Sequence, residues 1–283
     1  MDVGYLGLLD DVAVMLSDEG HSQSRVFGEV AESYHHYRPD YPDNLFDWIL
    51  ATSKISASDL VIDVGCGTGK ASAPLLERGY EVVGLEPDPA MAEIAQRELD
   101  GFDLFSIDQS TLEDWVEVEK HAGLVIAGQS WHWTDPETRF QRAASMLRPG
   151  GWLCVFWNRP ESGNQQFDAA TDLIYAELAP EFENKPFSVR LPGSKAAISA
   201  DTPSEEIAVS GLFGPVEQFE FEWEMEISTR HHIENLRTQS DHRMLKTAVR
   251  NELLRQVAKE IDNCGGSYKQ TFTTHGYAAE LSV

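Results

Sequence analysis

Residues 61–70 read VIDVGCGTGK, and no other stretch limits the fold of this 283-residue chain so tightly. Leu60, Val61, Ile62, Asp63 and Val64 form a short apolar run suited to a strand buried on both faces. Gly65, Gly67 and Gly69 follow at once, and a helix pattern begins at residue 70. Strand, glycine turn and helix in that order open a βαβ unit, in which the backbone can approach a ligand without Cβ contact.

The alternation then continues. Before it, Asp43 is expected to cap a helix carrying Leu45, Phe46, Ile49 and Leu50. After it, residues 80–85 read as a second strand, and Asp88-Pro89 as the cap and first turn of a helix over 89–99. Residues 102–107 and 124–127 read as strands three and four. Asp135-Pro136 opens a helix with Phe140, Ala143, Ala144 and Leu147; Pro149-Gly150-Gly151 ends it, and 152–157 is a fifth strand. Strands alternating with helices pair in parallel through right-handed crossovers, so the fold class is α/β with a doubly wound sheet. Ligands of such sheets sit at the carboxyl ends of the strands.

The last third has a different character. Residues 164–200 read as helix and then loop, broken by Pro180, Pro186, Pro192 and Gly193. Phe219, Phe221, Trp223, Met225 and Ile227 alternate with Glu220, Glu222, Glu224 and Glu226, a strand with one apolar and one acidic face near a sheet edge. Val249, Leu253, Val257 and Ile261 mark a helix, and residues 267–281 a final strand. With no linker evident, residues 25–283 read as one domain behind an acidic extension, 1–24. Its cofactor-binding half is expected at about 43–158 and a C-terminal substrate or lid elaboration at about 159–283.

Charge narrows the partners. The chain has 22 basic and 47 acidic side chains, a net charge of −25, which argues against nucleic acid and against an anionic membrane surface. Cys66, Cys154 and Cys264 are too few and too scattered for a disulfide framework or a zinc site. No basic leader and no long apolar run occurs, so a cytoplasmic protein with a small-molecule partner is expected.

The glycine turn admits two nucleotide cofactors, or no ligand at all. A nicotinamide fingerprint wants Gly-x-Gly-x-x-Gly, with its third glycine where Lys70 stands. Asp63, just ahead of the glycines, would also face a pyrophosphate unfavourably. Glu86 ends the second strand, 21 residues past Gly65, where a carboxylate accepts ribose hydroxyl hydrogens. S-adenosylmethionine suits this pattern: it has a ribose, an ammonium group and no phosphate.

VIDVGCGTGK followed by GLEPD at 84–88 resembles the class I S-adenosylmethionine-dependent methyltransferases. VFGEVAESYHHYRPDYP (26–42), AGQSWHWTDPE (127–137), LRPGGWLCVFWN (147–158) and LRTQSDHRML (236–245) resemble the small-molecule branch that includes trans-aconitate methyltransferase-like proteins. The resemblance implies a seven-stranded Rossmann-like sheet of order 3-2-1-4-5-7-6. It implies that Asp63, Gly65, Cys66 and Gly67 line the methionine and ribose portion, and that Glu86 binds the ribose hydroxyls. Asp108 and Gln109 match the adenine positions, although Ser110 stands where a Glu is common. Gln129 would lie near the methionine end, with Tyr34 and Arg38 over its carboxylate.

Methyl transfer from a sulfonium chiefly requires alignment and exclusion of water. A hydroxyl or amine acceptor would need a base, and His132, between Trp131 and Trp133, is the natural choice as base or orienting group. Packing of the loop is its bland alternative. Arg237 is expected to anchor an acidic substrate, or else to pair with a surface acid. Trp157, Asn158 and the loop 181–200 would line the acceptor pocket. His35-His36 and His231-His232 lack metal-ligand spacing. The expected activity is methyl transfer to a small carboxylate, hydroxyl or amine, releasing S-adenosylhomocysteine, in a monomer or homodimer. The alternatives are a non-catalytic S-adenosylmethionine-binding protein and, less favoured, an NAD-dependent oxidoreductase.

Overall fold

All five residues of β1 (Leu60–Val64) are buried, which requires neighbours on both edges and cover on both faces. The computed structural model supplies both; it describes residues 31–116, 121–161, 165–182 and 202–282. β1 pairs in parallel with β2 (Glu81–Leu85) and β4 (Ala122–Gly128), and β2 pairs with β3 (Phe105–Asp108). β4 pairs in parallel with β5 (Leu147–Pro160). β7 (Ser267–Glu280) then inserts antiparallel between β5 and the edge strand β6 (Glu217–Ser228). The order is 3-2-1-4-5-7-6, as the resemblance implied.

Alternation along each strand splits the core into two layers. Ile62, Val64, Val125, Leu153 and Val155 face Trp131 and also Phe140 and Met146 of α5 (Arg139–Met146). Val61, Leu124, Ile126 and Phe156 face Phe46 of α2 (Asp43–Ser53) and Leu75 of α3 (Ser72–Glu77). A third cluster forms a cap from α6 (Gln165–Leu178), α8 (Thr229–Arg237) and α10 (Thr247–Asn263), with Leu253, Val257 and Ile261 inward as their spacing predicts. The cap meets the sheet at Tyr268, near the start of β7, which lies by the carboxyl end of β5. The short helices α1 (Ala31–Tyr37), α7 (Thr202–Ser210) and α9 (Ser240–Met244) complete the described set, with α4 (Pro89–Glu98) between β2 and β3.

Several expected boundaries move. Asp88 does cap α4, accepting from the amides of Ala90 and Met91, with Pro89 in the first turn. Asp43 does not cap α2: Pro42 holds the extended cap position and Asp43 is the first helical residue. α5 begins at Arg139, because Asp135 bonds the Glu137 amide and Thr138 hydroxyl and forms a turn first. Leu147 belongs to β5, and Pro149-Gly150-Gly151 makes an irregularity within it, where pairing jumps from Ala122↔Leu147 to Leu124↔Trp152. β3 begins at Phe105, since residues 102–104 form the turn before it. In β6 the glutamates are exposed while Phe219 and Ile227 are buried, as an acidic edge requires. The expected extension 1–24 and most of the loop 181–200 lie outside the described residues. Among the described residues, no helix is long and apolar enough to cross a membrane.

Insertion of β7 depends on Gly276. A Cβ there would stand 2.3 Å from the Val155 carbonyl oxygen and 2.6 Å from the Phe219 ring. Gly276→Ala is expected to destabilise the protein by about 3 kcal/mol or more, because a strand backbone cannot yield as a side chain can. Urea unfolding checks it.

Candidate active site

The turn after β1 is held to its neighbours by close contacts. Gly65 adopts φ +63°, and a Cβ on it would come within 2.6 Å of the Ser130 Cβ. The Ser130 hydroxyl donates to the Val64 carbonyl, tying the loop after β4 to the end of β1. The Cys66 amide donates to the Leu85 carbonyl at 3.0 Å, tying the turn to β2. Cys66 contributes backbone here; burial pushes its thiol well above the ordinary range, so it is not a reactive thiolate.

Two buried carboxyls frame this turn. Asp63 is 1 % exposed; its Oδ2 accepts from the Ser72 hydroxyl at 2.7 Å, and its Oδ1 is buried without a partner. Burial raises its pKa to about 7, against the Ser72 hydrogen bond. Glu86 accepts from the amides of Gly67 and Asp88, both at 2.9 Å. Burial lifts it to about 7 as well, with the Asp88 and Gly67 amides opposing and the charges of Asp88 and Asp63 adding to the rise. An orphaned carboxylate oxygen beside a turn of free approach suits an ammonium or hydroxyl donor and repels phosphate.

The remaining expected residues surround this pair. Asp108 ends β3 opposite Leu85, and its carbonyl accepts the Glu86 amide; Asp108 and Gln109 are exposed at the rim. Gln129 takes φ +59°, rare for a residue with a side chain, and donates through Nε2 to the Asn158 carbonyl at 3.2 Å. Tyr34 of α1 lies within electrostatic reach of both Arg38 and Glu86, and burial raises its pKa. Arg38 is tucked under α8, where its Nε donates to the Thr238 hydroxyl at 3.0 Å while its guanidinium lies 5.2 Å from the Tyr34 ring. Tyr41 packs edge-on against Phe156 and lies near Asp63, and its hydroxyl would block a Cβ on Gly128. Tyr41, Ser130 and Thr238 were not singled out in the sequence, although each lies inside a segment that carries the resemblance.

At the reacting end, His132 sits in a 3-10 turn after β4. Its Nδ1 accepts from the Trp157 indole N–H at 3.2 Å. An indole nitrogen can only donate, so Nδ1 is unprotonated and the neutral ring carries its proton on Nε2. The residue is exposed at its edge yet crowded by protein; that crowding, then Arg139, lowers its pKa to about 4. Trp157 stacks on His275 of β7 at 6.0 Å. Arg237 is exposed and pairs with Glu234 at 3.5 Å; the guanidinium brought to Tyr34 is that of Arg38. Among the described residues, no group of three or more His, Cys, Asp or Glu could hold a metal.

Comparison with known proteins agrees with this geometry. Residues 62–155 match the methyltransferase domain family. Over 134 residues the chain is 35 % identical to an uncharacterized methyltransferase of Mycobacterium bovis, covering 47 % of this chain and 51 % of that one. Over 156 residues it is 31 % identical to a probable S-adenosylmethionine-dependent methyltransferase of Saccharomyces cerevisiae, covering 50 % of each. The match thus spans about half the length of these relatives. A candidate type II methyltransferase of Anaeromyxobacter dehalogenans shares the fold at 20 % identity and TM-score 0.60, covering 86 % of this chain and 98 % of that one. Fold and matched domain define a class I methyltransferase architecture. Residues 62–155 thus match the methyltransferase domain family within a chain that shares the fold of a methyltransferase, and nothing narrows the match to the trans-aconitate branch.

The raised carboxyls predict a pH dependence. A carboxyl whose folded pKa exceeds its unfolded one binds more protons when folded, so its contribution to stability is present at low pH and lost as pH rises. The ligand-free protein should therefore lose stability between about pH 4.5 and 7.5, and Asp63→Asn should flatten that slope in thermal melts.

Proposed function

We propose that this protein transfers a methyl group from S-adenosylmethionine to a small-molecule acceptor. The observation that carries this is the Asp63–Glu86 pair around a glycine turn, with one buried carboxylate oxygen unpartnered. That environment favours a cationic, hydroxylated nucleoside without phosphate. A Haemonchus contortus N-methyltransferase that shares the fold was solved with S-adenosylhomocysteine, at 12 % identity and TM-score 0.50.

The bound cofactor supplies a methyl group already activated on sulfur. Asp63 Oδ1 accepts from the ammonium, and Glu86, which keeps lone pairs beyond those used by Gly67 and Asp88, accepts from the ribose hydroxyls. Gly65 and Gly67 let the backbone approach, with Cys66 contributing main chain between them. Asp108 or Gln109 meets the edge of the adenine. Arg38 and Tyr34 bind the amino-acid carboxylate, and Gln129 borders that end of the pocket. Trp157 fixes the His132 tautomer, so His132 Nε2–H orients the acceptor as a donor rather than removing its proton. Trp157 and Asn158 line the acceptor side. The free, buried thiols of Cys66 and Cys154 suit a reducing cytoplasm.

Calorimetry with S-adenosylhomocysteine tests the cofactor. Binding is expected, with affinity rising about tenfold or more from pH 5.5 to 7.5 as Asp63 ionises against the ligand's ammonium, and the rise should vanish in Asp63→Asn. No heat of binding by folded protein would end this reading. Once labelled methyl transfer identifies an acceptor, His132→Ala should lower kcat by about tenfold, without a pH limb near 6.5. A loss of about a hundredfold or more would instead mark His132 as the base.

A further inference from the structure

Asp40 is held at two points within the connector that joins α1 to α2, residues 38–42. Its carboxylate pairs with Lys70, the last residue of the glycine motif, at 2.5 Å. Its carbonyl accepts from Asn158 Nδ2, near the carboxyl end of β5, at 2.9 Å. The direction of that amide is set from further away. An indole N–H can only donate, so Trp223 of the edge strand β6 donates to Thr274 Oγ1 at 2.9 Å. Thr274, fully buried on β7, donates its own proton to Asn158 Oδ1 at 2.6 Å. The amide oxygen is thereby occupied, and Nδ2 is turned to Asp40. Hydrogen bonds thus run from the sheet edge to the connector, each with its donor fixed.

These bonds position the next residue. Tyr41 lies edge-on against Phe156 at 4.9 Å and Phe46 at 6.4 Å. Its hydroxyl stands over Gly128, where a Cβ would come within 2.7 Å of it. Asp63 pairs with Ile126 across β1 and β4, and Gly128 lies two residues further along the same face. Phenol and carboxyl therefore share one side of the sheet, at the carboxyl ends of neighbouring strands. Neither is satisfied. Asp63 Oδ1 is buried without a partner, and among the described residues the Tyr41 hydroxyl makes no hydrogen bond. A carboxylate oxygen accepts and a phenol oxygen has lone pairs, so an ammonium, with its three donors, can serve both.

We propose that Tyr41 Oη is the second acceptor, beside Asp63 Oδ1, for the ammonium of S-adenosylmethionine, and that Asn158 is a positioning residue for Tyr41, acting through Asp40. This rests on the methyltransferase reading. It accounts for Gly128, since any side chain there would displace the phenol. It also gives Lys70 a use, because its pairing with Asp40 ties the connector to the glycine turn. Arg38 starts the same connector, so one short segment reads both the ammonium and the carboxylate of the cofactor.

Calorimetry tests this with three ligands: S-adenosylhomocysteine, its decarboxylated analogue, which keeps the ammonium, and its deaminated analogue, which keeps the carboxylate. Tyr41→Phe removes only the hydroxyl and retains the ring contacts. It should weaken the first two ligands about tenfold, as for a hydrogen bond to a charged group, and the third less than about twofold. Asn158→Asp keeps an acceptor for Thr274 but removes the donor to Asp40. Alone it should weaken the decarboxylated analogue about threefold or more; in the Tyr41→Phe background its cost should nearly vanish, because it acts through that hydroxyl. Melting curves check that each variant folds. Unchanged binding of the decarboxylated analogue by Tyr41→Phe would overturn the proposal. So would an equal loss for all three ligands, which marks lost packing, or a loss confined to the deaminated analogue, which assigns the phenol to the carboxylate. An equal cost of Asn158→Asp in both backgrounds would remove its positioning role. Failure of the unaltered protein to bind S-adenosylhomocysteine would instead remove the reading on which the site rests.

Discussion

Two carboxyl groups buried at the ends of adjacent parallel strands dictate much of what surrounds them. Burial of ionisable oxygens is unfavourable unless donors reach them, and the nearby loops supply those donors. Ser72 serves one oxygen of Asp63, while the Gly67 and Asp88 amides divide Glu86 between them. The Gly67 amide can point at Glu86 only if the turn after β1 is tight. That tightness in turn brings Gly65 against Ser130 and forbids a side chain there. The loops after three strands are thereby coupled, and the one unpartnered oxygen of Asp63 remains for something the chain does not provide.

Where the fold was legible in sequence, local rules and nonlocal packing agreed. β1, the glycine turn, β2 and the Asp88-Pro89 start of α4 are close to where periodicity and capping chemistry place them. The alternation in β6 was equally clear, since a half-solvated strand has the plainest of patterns. Errors arose where a side chain had two local uses. Asp135 can cap a helix or close a turn, and it closes a turn. Leu147 fits the apolar stripe of α5 but pairs with Ala122 at the start of β5. Pro149-Gly150-Gly151 looks like a terminator because nothing in its composition shows that the strand resumes on either side of it.

The candidate site was legible at the level of residues held by backbone position. Asp63, Glu86, Asp108 and Gln129 fall at strand ends, and a strand end is visible in sequence. Residues that depend on contacts across the chain were not visible. Arg237 and Arg38 are both plausible anion ligands by type, yet Arg237 turns to Glu234 one helical turn away, whereas Arg38 reaches Thr238 across 200 positions. The tautomer of His132 likewise depends on Trp157, 25 residues away: the indole N–H on Nδ1 leaves the ring proton on Nε2. Residue type names the available chemistry, but the partner selects which part of it operates.

A net charge of −25 acts on a large molecule and on a small ligand differently, and distance is the reason. Charges on the solvated face, such as the glutamates of β6, are screened over roughly 8 Å at physiological ionic strength. Arg38, crowded by protein beside Tyr34 and Thr238, acts at close range, where the effective dielectric is lower and each interaction is stronger. Exposed acids therefore set the field that a large molecule meets, and buried charges set the field inside a site. A large molecule must meet much of the acidic surface at once, whereas a small ligand needs only to pass it. A large polyion and a small ligand thus sample different parts of the same field.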